Sequence, residues 1–95
     1  MARVTISSRA EVDMLGMWSH IADHSLAAAD RMIDRFTAVF QELEHFPKLG
    51  EVQRHPSKTL RRISVRPYVI VYQVGADDVT IVRIFHSAQQ WELLL

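Results

Sequence analysis

The sequence predicts an α+β fold of order β-α-α-β-β-β, in which an antiparallel helical hairpin lies on one face of a largely antiparallel sheet. Two changes in the spacing of apolar residues indicate this order. Apolar residues alternate over residues 2–6, recur every three or four positions up to residue 46, and alternate again from residue 60. A chain of 95 residues is expected to form one domain, spanning residues 1–95.

The first strand is predicted at residues 2–6, where Ala2, Val4 and Ile6 share one face. A helix is expected to follow, because Ser8 and Glu11 have the spacing of a capping box. We expect this helix to end near residue 23. Its core-facing stripe is predicted from the apolar residues at helical spacing, which are Val12, Leu15, Trp18, Ile21 and Ala22.

The second helix has the strongest helical periodicity in the sequence. Ser25 is its predicted N-cap, and Pro47 cannot continue it because proline has no amide proton. The short connection between the two helices predicts that they pack as an antiparallel hairpin. The apolar stripe consists of Ala29, Met32, Ile33, Phe36, Val39, Phe40, Leu43 and Phe46.

A three-stranded meander is predicted after a polar loop at residues 50–58. LRRISV (60–65) alternates, with Ile63 and Val65 opposite Arg62 and Ser64. YVIVYQV (68–74) is apolar on both sides, which favours an interior strand. A Gly-Asp turn precedes VTIVRIFH (79–86). Strict alternation in this last strand would place Thr80, Val82, Ile84 and His86 on one face and Ile81, Arg83 and Phe85 on the other.

Composition excludes several classes of function. The chain has no cysteine, so zinc-finger, thiol-nucleophile and disulfide-framework proteins are excluded. No apolar run approaches the roughly 18 residues of a membrane span, and we expect a cytoplasmic protein without membrane contact. Eleven basic residues balance eleven acidic ones, which argues against direct binding of nucleic acid. His20 and His24 are the nearest pair with metal-ligand spacing, and we predict neither a metal nor a cofactor.

One segment is locally basic. Residues 48–67 carry a single acid, Glu51, against Lys48, Arg54, Lys58, Arg61, Arg62 and Arg66. The segment is either a solvated connection with exposed arginines or a surface for an acidic partner or a phosphate backbone.

Several short motifs, taken in order, resemble the ParE branch of the RelE/ParE superfamily, the toxins of type II toxin-antitoxin modules. They are the Trp18 region, Leu43-x-x-x-Pro47-x-x-Gly50, Leu60-Arg61, the run from Pro67 to Tyr72, and Arg83-Ile84-x-His86. The resemblance covers nearly the whole chain. It implies a growth-inhibiting toxin of the kind linked to plasmid stabilisation, which binds DNA gyrase and forms a hetero-oligomer with a ParD-like antitoxin.

The superfamily also contains ribosome-dependent mRNA endonucleases of the RelE type, which stay open as an alternative. Cleavage would need a proton-transfer group and cations near the reacting phosphate, and Arg61, Arg83 and His86 are the candidates. Strand alternation places Arg83 and His86 on opposite faces. The neutral charge also favours a non-catalytic inhibitor.

Six residues are predicted to bind a partner. Arg61 and Arg62 offer positive charge to an acidic antitoxin. Met14 and Met17 are surplus apolar positions on the first helix that would receive an antitoxin helix. Trp91 and Leu94 belong to the apolar end WELLL, which either docks a partner or packs against the sheet.

Overall fold

The computed structural model describes all residues from 1 to 95. Two helices precede most of the sheet, and a short 3₁₀ helix follows it. In chain order the elements are β1 (Arg3–Ile6), α1 (Ser8–Ala22), α2 (Leu26–His45), β2 (Glu51–Gln53), β3 (Leu60–Val65), β4 (Tyr68–Val74), β5 (Asp78–His86) and the 3₁₀ helix Trp91–Leu94. The predicted α+β class and the helical hairpin are confirmed. β2 was predicted as loop, and that part of the prediction is wrong.

Both helices begin at a serine cap. The cap of α1 is Ser7 rather than Ser8, because Ser7 keeps an extended backbone and its Oγ accepts a hydrogen bond from the amide of Ala10 at 3.0 Å. The predicted capping box is therefore wrong by one residue. Ser25 caps α2 as predicted, with its Oγ accepting from the amide of Ala28. α2 ends at His45, two residues before Pro47.

The sheet has the order β1-β5-β4-β3-β2, so the N-terminal strand lies beside the last one. β1 pairs with β5 in parallel, and all other neighbours are antiparallel. This arrangement is possible because the helical hairpin carries the chain across the sheet between β1 and β2. β4 lies at the centre, and its residues from Tyr68 to Tyr72 are all buried, as its apolar sequence predicts.

A β-bulge interrupts β5. Tyr72 pairs with Ile81 and Val71 with Arg83, so Val82 has no partner on β4. The extra residue reverses the alternation. Ile81 and Ile84 therefore both belong to the helix-facing core, whereas strict alternation would separate them. The predicted division of β5 into two faces is wrong for this reason, and no sequence signal marks the bulge.

The sheet buries apolar residues on both faces. The face covered by α1 and α2 forms the larger core, which includes Phe36, Leu43, Ile70, Tyr72 and Ile81. The opposite face has a smaller core, formed by Leu60, Val69, Val71, Phe85 and Trp91. The 3₁₀ helix and Leu95 cover this second face, and Trp91 stacks on Phe85 with 6.0 Å between ring centroids.

Candidate functional site

Arg83 is held by α1. Its Nε donates to Oδ2 of Asp13 at 2.8 Å and its Nη2 donates to Oδ1 at 3.1 Å. Asp13 Oδ2 also accepts from the amide of Ile84 at 2.9 Å. Both side chains are largely buried, with 17% of Arg83 and 13% of Asp13 exposed. The guanidinium charge is therefore paired within the chain, and the bond joins α1 to β5 just beyond the bulge.

His86 lies at the end of β5 and is exposed. Its ring packs edge-on against Tyr68, with 5.4 Å between centroids. The amide of Ala88 donates to Nδ1 at 3.0 Å, so the neutral imidazole carries its proton on Nε2. A general base needs a free lone pair, and in this tautomer neither ring nitrogen has one. Burial raises the pKa of the neighbouring Tyr68.

Arg61 braces the connection between α2 and β2. Its Nη1 donates to the carbonyl oxygen of Gly50 at 2.8 Å and to that of Lys48 at 3.4 Å. The neighbouring Tyr72 hydroxyl accepts from the amide of Gly50 at 2.7 Å. Burial raises the pKa of Tyr72, although the Gly50 hydrogen bond and the Arg61 charge oppose the rise. These contacts fix the residues that lead into β2.

The three residues of the nuclease alternative do not converge. Arg61 pairs across the sheet with Tyr72, and His86 pairs with Tyr68. These two tyrosines are four residues apart on β4, which is about 13 Å of strand, so Arg61 and His86 lie toward opposite ends of the sheet. Arg83 and His86 occupy opposite faces, since the bulge precedes both of them. No group of three or more His, Asp or Glu side chains is placed to hold a metal ion.

The predicted stripe of α1 forms the helix's core side only in part, since Ile21 packs against the core but Val12 and Leu15 are exposed. Val12 is 63% exposed and Leu15 is 68% exposed. Met17 is buried instead, and Met14 packs against the same core. The helix carries two apolar stripes at equally good helical spacing, and the sheet covers the one that contains the methionines. Of the methionines predicted to receive a partner, Met17 is thus buried and Met14 is partly buried, whereas Val12 and Leu15, predicted to be inside, are on the surface.

The C-terminal residues also include one that is buried and one that is exposed. Trp91 is only 5% exposed, whereas Leu94 is 53% exposed. Arg62 lies above the Trp91 ring, with its Cζ 6.0 Å from the centroid, and pairs with Glu51 at 3.1 Å. His55 contacts the carbonyl oxygen of Leu95 at 3.2 Å and helps to hold this segment down. Of the predicted partner-binding residues here, Arg62 and Leu94 are accessible.

The basic segment surrounds the β2 edge of the sheet. β2 has β3 on one side and no strand on the other. Lys48, Arg54 and Lys58 are exposed beside it, and Val52 projects into solvent. An unpaired strand edge offers backbone donors and acceptors to another chain. A positive rim around such an edge favours an acidic peptide.

Comparison with known proteins identifies the class. The family described as "ParE toxin of type II toxin-antitoxin system, parDE" matches residues 4–91. Toxin RelE2 of Caulobacter vibrioides is 38% identical over 90 residues, which is 94% of this chain and 99% of RelE2. Toxin ParE3 of the same organism is 32% identical over 62 residues, covering 65% of this chain and 62% of ParE3.

A solved structure shares the fold. One chain of a structure described as "Chromosomal ParDE TA system from P. aeruginosa" superposes with a TM-score of 0.76 at 15% identity, covering 90% of this chain and 96% of that one. The fold and the sequence relatives define a toxin of the RelE/ParE superfamily. Within that superfamily, the chain belongs to the ParE toxin family of type II toxin-antitoxin systems. No helix has the length and apolar composition needed to cross a membrane.

Proposed function

We propose that the chain inhibits DNA gyrase in the cytoplasm by binding it, without chemistry of its own, and that a cognate antitoxin silences it. The observation that supports a non-catalytic mechanism is that the three candidate catalytic residues form hydrogen bonds within the fold. Arg83 is paired with Asp13, Arg61 is bonded to backbone carbonyls, and His86 Nδ1 accepts a backbone amide. The proposal of gyrase as the target rests on membership of the ParE family.

Ribosome-dependent mRNA cleavage is the second candidate, because two relatives carry the names RelE2 and RelE3. The replacement Arg83→Gln separates the two mechanisms. Glutamine can still donate to Asp13 but brings no charge. An inhibitor that acts by binding should keep its potency within about threefold. A nuclease that used this cation should lose on the order of 100-fold.

The measurement is growth inhibition on induction in cells without the antitoxin, together with circular dichroism of the purified variant. Arg31→Gln is the matched control, because Arg31 is exposed on α2 and lies outside the Arg83 contacts. A folded Arg83→Gln protein that no longer inhibits growth, beside a fully active Arg31→Gln protein, would overturn the non-catalytic mechanism.

The antitoxin is proposed to bring an acidic extended segment to the β2 edge. Strand addition there would satisfy the free backbone groups of β2, and the basic rim would attract the segment from a distance. Arg62→Glu is expected to slow association by about three- to tenfold at low salt, with the difference shrinking as salt screens the field. Arg31→Glu makes the same change of charge away from this edge. Equal association rates for the two variants would contradict the assignment.

A further inference from the structure

The three glycines of the chain differ in one respect. A Cβ on Gly50 would lie 2.6 Å from the carbonyl oxygen of Arg62, and a Cβ on Gly75 would collide with the Asp78 carboxylate. Gly50 therefore requires glycine because a backbone atom blocks any side chain, whereas a side chain at Gly75 would have to displace the Asp78 carboxylate. Gly16 lies in the middle of α1, and a Cβ there would meet no atom within 4 Å. Glycine weakens a helix interior relative to alanine, so Gly16 imposes a cost that nothing inside this chain explains.

Gly16 faces a groove between α1 and the neighbouring ends of β4 and β5. The groove has a volume of about 350 Å³. Its apolar lining is supplied by Val12, Met17, Tyr68 and Ile84. Val12 is mostly exposed on the same side of the helix, and Leu15 extends the apolar surface beyond the groove. An exposed apolar groove beside a glycine that leaves the helix backbone bare allows a second chain to approach closely.

The polar groups of the groove point to the chemistry of its occupant. Both carboxylate oxygens of Asp13 are taken by Arg83 and by the amide of Ile84. The Gln89 Oε1 is taken by the amide of His86. The free groups are the Nε2–H of His86 and the side-chain amide of Gln89, which donate, and the Tyr68 hydroxyl and the His20 ring, which can donate or accept. Such a groove is complementary to an apolar side chain flanked by carbonyl or carboxylate acceptors.

We infer that this groove, which we call the Gly16 groove, is a docking site for the antitoxin, separate from the β2 edge. The occupant is an apolar segment of the antitoxin with acidic residues beside it, and one of its apolar side chains lies directly against Gly16. The inference rests on the proposed function, since it assumes that an antitoxin binds. It assigns to Gly16 a role that depends on the absence of a side chain.

The test exploits two effects of opposite sign. Gly16→Ala should raise the Tm of the free chain by about 3–6 °C, because alanine favours the helix and the site has room for it. The same methyl group should weaken binding of the cognate antitoxin by tenfold or more. Val12→Gln should weaken binding similarly with little change in Tm. Thr37→Ala, an exposed change on α2 outside the groove, is the control and should leave the affinity unaltered.

Each outcome has a separate meaning when Kd is measured by calorimetry with refolded toxin. A stabilised Gly16→Ala protein with the wild-type Kd would overturn the docking site while leaving the proposed function standing. A wild-type chain that does not bind the antitoxin would overturn the proposed function and this assignment of the occupant together. Concentration-dependent self-association that Gly16→Ala abolishes would assign the groove to a second copy of the chain, which contradicts the proposal.

Discussion

The two faces of the sheet are covered by very different amounts of structure. One face is covered by two helices that join twelve buried residues into a single core. The other buries five residues and is covered only by the 3₁₀ helix and Leu95. The helix-covered face therefore carries most of the folding free energy, because the free energy of apolar burial scales with the buried area. The second face is covered by a C-terminal segment whose contacts can be weakened without unfolding the rest of the chain.

Phe36→Ala should give the largest loss of stability. Phe36 is fully buried and contacts both Phe40 and Tyr68. Loss of the ring and the cavity left behind should lower the free energy of unfolding by about 3–5 kcal/mol. Urea unfolding followed by circular dichroism measures it. The exposed neighbour Thr37 provides a control, since Thr37→Ala should change stability by no more than about 0.5 kcal/mol. Equal losses in the two proteins would refute the assigned core.

Trp91→Ala should cost less, although tryptophan is the larger side chain. The segment around Trp91 can detach where the helices cannot, so we expect a loss of about 2–3 kcal/mol with unchanged helix content. Detachment would expose Leu60, Val69, Val71 and Phe85. Binding of a hydrophobic dye at neutral pH should therefore increase. A loss greater than that of Phe36→Ala would reverse the ranking of the two faces.

Tyr72→Phe measures how much one buried hydrogen bond contributes to the stability of the helix-covered face. It removes the acceptor of the Gly50 amide, and a buried unpaired amide should cost about 1–2 kcal/mol. The change also affects alkaline stability. Since burial raises the pKa of Tyr72 above 10.0, its neutral form stabilises the fold, and this contribution is lost as the pH rises through the folded pKa.

The loss of stability at alkaline pH can be tested with two variants. Between pH 9 and 12 the stability of Tyr72→Phe should fall less steeply than that of the wild type. Tyr68→Phe should also flatten the curve, because burial raises the pKa of Tyr68 as well, but without loss of the Gly50 bond. Superposable wild-type and Tyr72→Phe profiles would show that the Tyr72 hydroxyl is not buried as described.

His55→Ala should have the smallest effect, about 0.5–1 kcal/mol, since it removes one partly buried hydrogen bond to the C-terminal segment. The effect should disappear in a Trp91→Ala background, where the segment is already loose. A double-mutant cycle measures this coupling. Additive losses would mean that His55 acts on something other than the cover of the second face.

The sequence predicts the helix-covered face far better than the other features. The period of α2 is unambiguous because only one of its sides is apolar, and β4 is central because it is apolar on both. α1 is ambiguous, since Val12 and Leu15 make as good a stripe as Met14 and Met17, and only contact with the sheet decides between them. The bulge at Val82 depends on pairing with a distant strand, and β2 is three polar-flanked residues. Neither leaves a local pattern.

The candidate site was predictable only in part. The identities of Arg61, Arg83 and His86 followed from the family resemblance, and their opposite faces followed from strand parity. Their bonding did not, because Asp13 is 70 positions from Arg83 in sequence. The Gly16 groove was also missed. The sequence feature that indicates it is a mid-helix glycine between exposed apolar residues. This feature can be recognised only once the buried side of α1 is known.

Binding inhibition of gyrase is tested by a paired assay of the purified chain, refolded without antitoxin, on gyrase supercoiling of plasmid DNA and on mRNA in programmed ribosomes. We expect supercoiling to be lost while the mRNA stays intact. Cleaved mRNA with normal supercoiling would contradict this expectation, and would require Arg83 or His86 to leave the contacts that hold them here.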